Sequence, residues 1–149
     1  MDVRTLALSA LAGLFISITF IGTSAAADRP YAEGPVSDVT SIRTEPGMFD
    51  DYMAWVAGTW KREMEELKKA GIVLGYAVYA TTPRTVDDPD LYLVVTYKNM
   101  AALDNLLERT DPIYERIEGN LAAQNAAFAA RGKLRTILGD EYIRELNLK

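Results

Sequence analysis

The sequence contains no cysteine and no histidine among its 149 residues. Without cysteine no disulfide can form, and without thiolate or imidazole the usual ligands of a structural zinc site are missing. The same absences exclude a cysteine nucleophile, a Ser-His-Asp triad and a haem iron held by histidine. The sequence therefore predicts a protein without metal or other cofactor. Arginine, tyrosine, tryptophan and the carboxylates remain as the side chains from which a site could be built.

Positive charge is scarce as well. The chain has 16 Lys and Arg residues against 21 Asp and Glu residues, a formal net charge of -5. Nucleic acids and anionic membrane surfaces are bound by clustered basic residues, whereas here the basic residues are scattered among acidic ones. The composition therefore argues against nucleic acid and against a membrane surface as partners.

The N-terminal segment has the three regions of a secretory signal peptide. A short start containing Arg4 is followed by an apolar run over residues 6–21 and by the small-residue tail GTSAAA. An uncleaved membrane anchor is the alternative, but the run is shorter than the ~20 apolar residues of a spanning helix and contains serine and threonine. The sequence favours a signal peptide over residues 1–27, cleavage after Ala27 and a periplasmic or secreted protein. With 49% hydrophobic residues, the remaining 28–149 are predicted to form one domain.

The first half of this domain reads as a strand, a helix and a second strand. An extended leader over residues 28–35 precedes a β-branched strand at 36–44, and Pro46-Gly47 then leads into a helix over 48–70. Gly71 is predicted to end that helix, before a strand at 72–80. Apolar residues at helical spacing predict the buried stripe of the helix: Phe49, Met53, Val56, Trp60, Met64 and Leu67.

The second half repeats this order. A strand at 91–97 is followed by Asn99, a preferred N-cap, and by a helix with Leu103, Leu106 and Leu107 as its buried stripe. Asp111-Pro112 is interpreted as the restart of a helical turn, and Gly119-Asn120 as an interruption. An Ala-rich helix over 121–131, a turn at Gly139-Asp140 and a strand over 141–148 complete the predicted chain.

The order β-α-β followed by β-α-β predicts an α+β fold, a ferredoxin-like βαββαβ sandwich in which helices cover one face of a four-stranded antiparallel sheet. The other face should then be polar. Strands two and three are instead apolar on both faces, with Tyr76 and Val78 against Ala77 and Tyr79 in strand two. Two copies that pack sheet to sheet would cover the second face, and the sequence therefore predicts a homodimer.

Three stretches of the chain resemble the dimeric α/β-barrel superfamily, which includes NIPSNAP-like and stress-responsive barrel proteins. They are IRTEPGMFDDYMAW, YLVVTYKNMAALDNL and the closing IRELNL. The chain looks most like exported bacterial members of unassigned activity. The superfamily also contains haem-dependent enzymes, whose histidine ligand has no counterpart here, and cofactor-independent monooxygenases of aromatic substrates. The resemblance thus implies the fold and a dimeric barrel more than any chemistry.

Aromatic side chains are the main candidates for a binding site. As a group they could line one cavity between sheet and helices, although packing in the core is the favoured interpretation. Trp55 lies away from the predicted stripe of the first helix, where contact with the leader or with a dimer partner is favoured over contact with a ligand. The predicted ligand-binding residues are Tyr52, Trp55, Trp60, Tyr76, Tyr79, Tyr92 and Tyr97.

Two acidic features are weaker candidates. Glu63 lies near the edge of the stripe, where a desolvated carboxylate would act as a general base, but a rim position or an ion pair with Arg43 or Arg144 is favoured. The acidic loop Asp87 to Asp90 offers oxygen ligands for Ca²⁺, yet it lacks the ligand spacing and glycine of an established calcium loop, and a solvated turn is favoured. No catalytic or metal-binding residue is predicted from them.

Two functions of different classes follow. The favoured one is an exported, non-enzymatic homodimer whose interior binds a small apolar or aromatic molecule or simply completes the core. The alternative is a cofactor-independent monooxygenase that acts on an aromatic substrate. A cavity with convergent polar groups would distinguish a binding or catalytic interior from a packed one.

Overall fold

The computed structural model describes residues 28–149, so the predicted signal peptide lies outside the described residues. Within these residues the chain forms four strands and four α-helices. Their bounds are β1 Tyr31–Thr44, α1 Phe49–Trp55, a π-helical segment Val56–Trp60, α2 Lys61–Lys69, β2 Gly75–Ala80, β3 Leu91–Tyr97, a 3₁₀ segment Met100–Leu103, α3 Leu106–Glu118, α4 Leu121–Arg131 and β4 Arg135–Leu148.

The strands form one antiparallel sheet in the order β2-β3-β1-β4. Ile42 of β1 pairs with Leu91 of β3, and Ala80 of β2 also pairs with Leu91, so that these side chains share one face. That face packs on the helices, since Ile42 and Leu91 belong to the same buried cluster as Val56 and Leu67. The predicted ferredoxin-like sandwich is therefore confirmed.

The first helix is continuous, but one turn of it is π-helical. Val56–Trp60 forms this wider turn between α1 and α2, and such turns often occur near functional sites. The predicted stripe is correct from Met53 onward, with Met53 itself half-buried against the core, whereas Phe49 is 40% exposed and Tyr52 is buried instead. The helix ends as predicted, with Gly71 in the left-handed region at φ +69°.

The first and the last strand along the chain, β1 and β4, both differ from the prediction. The leader over 28–35 was expected to be unpaired, but Tyr31 pairs with Leu148 and extends β1 to 14 residues. The predicted turn at Gly139-Asp140 is wrong, because β4 runs unbroken through it with a bulge opposite Ser41 and Ile42. Glycine inside a strand often marks a bulge rather than its end.

The second half of the chain corrects three further details. Asn99 does cap a helix by accepting a hydrogen bond from the N–H of Ala102, but only a short 3₁₀ segment follows. α3 begins after Asn105, which has a left-handed backbone at φ 52°, and Leu107 is 73% exposed instead of buried. Pro112 lies inside α3, so the helical restart predicted at Asp111-Pro112 does not occur. None of the helices within residues 28–149 is long and apolar enough to span a membrane.

Candidate functional site

A pocket of about 290 Å³ lies among the helices. It combines aromatic rings with charged and amide side chains, a mixture typical of small-molecule sites. One residue comes from α1, one from α2 and the others from α3 and α4. The lining residues are Trp55, Glu63, Tyr114, Glu118, Gln124, Asn125, Phe128 and Arg131.

The turn between α3 and α4 brings the second half of this lining into place. Gly119 has φ +91°, a conformation that glycine adopts without strain, and it lets α4 fold back on α3. Asn120 then caps α4 by accepting a hydrogen bond from the N–H of Ala123 at 3.0 Å. Gln124 donates to the carbonyl of Gly119 at 2.8 Å. The Gly119-Asn120 interruption predicted from sequence is thus the element that positions Arg131.

Glu63 is the most perturbed acid of the described chain. Its side chain is 4% exposed, and burial raises its pKa to about 8, assisted by a hydrogen bond with the carboxyl group of Glu118 and by the charge of that group. At neutral pH Glu63 is therefore protonated. Both interpretations favoured from sequence are wrong. Glu63 is buried and not at a rim, and the two arginines have other partners: Arg43 binds Asp87 at 3.4 Å, and Arg144 binds Glu33 at 2.6 Å.

Arg131 connects the acidic and aromatic parts of the pocket. Its Nη1 lies 3.3 Å from Oε2 of Glu118, and both side chains are largely buried. Its guanidinium group also lies 4.4 Å from the ring centroid of Trp55, a cation–π contact. Trp55 in turn stacks on Tyr52 at 5.5 Å. Trp55 therefore packs against Arg131 of α4, whereas the sequence favoured contact with the leader or with a dimer partner.

Three buried polar atoms of this lining have no hydrogen-bond partner within residues 28–149: Nε1 of Trp55, Oε1 of Glu63 and Nε of Arg131. Buried polar groups are satisfied in the great majority of cases, and an exception calls for a physical reason. The only other such side-chain atoms in the described chain are Oδ1 of Asp38 and Nε of Arg135. Unsatisfied polarity is therefore concentrated in one pocket.

The tyrosines beside the pocket are neutral. Burial raises the pKa of Tyr114 well above its usual value, and the nearby charge of Glu63 raises it further. Burial and the charge of Asp38 raise the pKa of Tyr97 to about 12. Both hydroxyl groups therefore keep their protons across the physiological range.

The seven aromatic residues predicted to bind a ligand do not line one cavity. Five lie on the helix-covered side of the sheet, where Trp60 meets Tyr76 edge to face at 5.3 Å and where the hydroxyl of Tyr76 donates to Glu65. Two lie on the opposite face, where Tyr79 pairs with Tyr92. Among the seven, Trp55 alone lines the pocket between the helices. The five residues on the helix-covered side of the sheet are Tyr52, Trp55, Trp60, Tyr76 and Tyr97.

The partners of Trp55 and Glu63 were missed from the sequence. Tyr114, Glu118, Phe128 and Arg131 lie on α3 and α4, and no local spacing relates them to the first helix. The one available signal was Arg131, a charged residue at the end of an otherwise Ala-rich helix.

Two carboxylates of the acidic loop, those of Asp88 and Asp90, accept hydrogen bonds from other residues of the fold. The backbone N–H groups of Arg84 and Thr85 donate to Asp88 and lower its pKa. Asp90 accepts from the backbone N–H and the hydroxyl of Thr44. The described chain contains no cluster of three acidic residues that would hold a metal ion.

Comparisons with known proteins bear on the fold only. HapK from Hahella chejuensis superimposes with a TM-score of 0.51 at 13% identity, over 74% of this chain and 91% of its own. Protein SO0527 from Shewanella oneidensis gives 0.50 at 14% identity, over 78% and 96%. A dimeric ferredoxin-like protein from an uncultured marine organism gives 0.49 at 7%, over 79% and 90%, a similarity too low to say anything about assembly here. No protein-family model and no curated protein matches the sequence.

Proposed function

We propose that this protein binds a small aromatic molecule in the pocket between its helices. The observation that carries the proposal is that Trp55, Glu63 and Arg131, each of which has a buried polar atom without a hydrogen-bond partner in the described chain, line the same pocket together with aromatic rings. Rings supply contact area and the few polar groups fix orientation, as in small-molecule sites generally. The volume of about 290 Å³ suits a ligand of one or two fused rings.

Catalysis is the second candidate, in the form of a cofactor-independent monooxygenase of an aromatic substrate. It is favoured by Glu63, because an acid with a pKa of about 8 can take and return a proton near neutral pH. Oxygen consumption with 1-naphthol as a model phenol tests it. Turnover that is abolished in Glu63→Gln supports the enzyme, and the absence of oxygen uptake while 1-naphthol binds supports a binding protein.

The first prediction concerns binding itself. We expect 2-naphthol to bind one site per chain in isothermal titration calorimetry, and Phe128→Ala to weaken that binding about tenfold, because an aromatic contact contributes about 1–1.5 kcal/mol. Tyr92→Ala is the matched control, since Tyr92 lies on the opposite face of the sheet. A lack of saturable binding, or an equal loss in both variants, would contradict the proposal.

We also propose that the protein is a homodimer that pairs the helix-free faces of two sheets. This face contains Val39, Val94 and Ile143, and a groove of about 510 Å³ crosses it beside Tyr79. Tyr79 is 58% exposed, and Ile143 is also exposed. Soluble monomers seldom leave such an apolar face in water, and a second copy would cover it symmetrically.

The second prediction is that Tyr79→Lys converts a dimer into a monomer, soluble or aggregating, because a lysine buried in the interface would lose its hydration without an opposite charge to pair with. Leu107→Lys is the control: it places the same charge on an exposed apolar residue of α3, away from the sheet. Light scattering at micromolar concentration measures both. A wild-type protein that is already monomeric at that concentration would refute the dimer.

The third prediction concerns location. We propose an exported protein, periplasmic or secreted, on the strength of the charged, apolar and small-residue regions of residues 1–27. N-terminal sequencing of the protein from the expressing cells is expected to start at Asp28. Recovery of an intact Met1 in the membrane fraction would instead indicate an anchor.

A further inference from the structure

The helix-free face of the sheet is arranged in rows of side chains that cross all four strands. Directly paired residues of neighbouring strands point to the same face, so the strand register defines these rows. Two of the rows lie four residues apart on every strand. From β2 across to β4, the groove row is Gly75, Thr96, Ser37 and Ile143, and the tyrosine row is Tyr79, Tyr92, Ser41 and Gly139. The groove of about 510 Å³ follows the groove row, since all four of its residues line it.

The two rows are complementary in size. On β2 the groove row has Gly75 and the tyrosine row has Tyr79, whereas on β4 the order is reversed, with Ile143 in the groove row and Gly139 in the tyrosine row. Tyr79 is 58% exposed and Ile143 is 50% exposed. We infer that a second copy of the chain packs on this face with the two rows exchanged, so that Tyr79 of each copy fills the groove over Gly75 of the other. The inference rests on the proposed homodimer and specifies how its two sheets fit together.

A single two-fold axis produces this exchange. The axis runs across the strands along the row midway between the other two, and rotation about it lays each strand antiparallel over its own copy. Position 75 then faces position 79, and position 143 faces position 139. The residues of the middle row face their own copies: Ala77, Val94, Val39 and Glu141. Glu141 is the charged member of this row, and it lies exposed on the outer strand β4, at the rim of such an interface.

The spacing of packed sheets suits a large residue opposite a glycine. Sheets pack face to face about 10 Å apart, with strand directions within about 30° of each other. One tyrosine side chain fills that gap when it faces glycine, whereas two tyrosines that face each other overfill it. The exchanged rows therefore avoid a collision that the same two sheets would meet in a register that stacks Tyr79 on its own copy.

The face is also large enough for a dimer. Four strands about 4.8 Å apart and seven paired positions at about 3.4 Å each give a flat area of about 450 Å² per copy. Side chains make the accessible surface larger than this flat figure, and a stable interface buries about 800 Å² per partner. The helix-free face alone is thus of the order that a stable dimer needs.

Gly75 leaves room that its own chain does not use. A Cβ atom at this position would have no neighbour within 4 Å among residues 28–149, and the backbone is outside the left-handed region. Glycine weakens a strand, and within strands it often marks a place where another chain approaches closely. Beside it the hydroxyl groups of Ser37 and Thr96 bond to each other at 2.9 Å, so these hydroxyls have a partner within the chain. An uncharged ring from a second copy therefore suits this space.

A local explanation of the glycines competes with this inference. Gly75 is the first residue of β2, and Gly139 lies at the bulge opposite Ser41 and Ile42. If these positions in the strands are the whole reason for glycine, a side chain at position 75 would leave association unchanged. The two explanations therefore differ in one measurable quantity, the dissociation constant of a dimer that carries a side chain at position 75.

The experiment measures this constant by sedimentation equilibrium of the mature protein over a dilution series. We expect Gly75→Tyr to raise the dissociation constant at least about a hundredfold, because tyrosine then faces tyrosine in both symmetric contacts. Tyr79→Gly should raise it at least about tenfold, because the groove is left empty. The double variant Gly75→Tyr/Tyr79→Gly should return to within about tenfold of the wild type, since it only interchanges the two facing residues. Gly75→Val, which suits a strand, should weaken the dimer at least about tenfold.

Thermal melting shows which variants are folded, and Gly75→Val provides the comparison if Gly75→Tyr is not. Folded variants at position 75 that associate as tightly as the wild type would overturn the insertion of Tyr79 while leaving the proposed homodimer intact. A folded double variant that is as weak as Gly75→Tyr would overturn the exchange of rows. If the wild type is monomeric at micromolar concentration, the proposed homodimer fails and the inference fails with it.

Discussion

The Glu63→Gln variant is expected to be more stable than the wild type at pH 8, by on the order of 3 kcal/mol in the free energy of unfolding. Burial and Glu118 raise the pKa of Glu63 from 4.5 to about 8 in the folded protein. Between these two values the folded state holds a proton that the unfolded state has lost. The stability of the wild type therefore falls as pH rises from about 4.5 through about 8, and glutamine, which does not titrate, removes that fall.

Urea denaturation at pH 4, 6 and 8, at one fixed protein concentration, measures this difference. The two proteins should be similarly stable at pH 4, where Glu63 is protonated in both states, and should diverge as pH rises. Glu115→Gln is the control, because Glu115 is an exposed residue of α3 next to the same helix pair. Parallel pH profiles for Glu63→Gln and the wild type would show that Glu63 is ionised in the folded protein.

The second large effect is expected for Tyr52→Ala, a loss of about 4 kcal/mol in the free energy of unfolding. Tyr52 is the largest fully buried side chain of the described chain at 1% exposed, and it stacks on Trp55 at 5.5 Å. Alanine would leave a cavity under the first helix and would also free Trp55. Because Trp55 lines the pocket, binding of 2-naphthol should weaken in the same variant.

The Tyr52→Phe variant separates the contribution of the ring to stability from that of the hydroxyl group. It keeps the stack on Trp55 and removes only a group that hydrogen-bonds with Arg135, so a loss of about 1 kcal/mol is expected. Chemical denaturation of both variants provides the comparison. A loss below about 1 kcal/mol for Tyr52→Ala would mean that the ring contributes little to the core.

The sheet and its helix-covered face followed from patterns that are local in sequence. The β-branched and aromatic run at 91–97 defines a strand wherever it is placed, and Gly71 ends a helix because of its own backbone freedom. Errors occurred where a residue's role depends on a distant neighbour. Gly139 reads as a turn by itself, and only pairing with Ser41 makes it part of a bulged strand. Leu107 fits a helical stripe, but the late start of α3 at Leu106 turns it outward.

The sequence by itself determined the fold class, the two apolar faces of the sheet and the chemistry that is impossible without cysteine and histidine. It also drew attention to Trp55 and Glu63. Only the tertiary structure decided what surrounds them, because the turn at Gly119 brings Glu118 and Arg131 from α3 and α4 against the first helix. The pKa of Glu63 and the pocket itself arise from that contact, since burial and neighbouring charge are properties of the folded arrangement and not of any single segment.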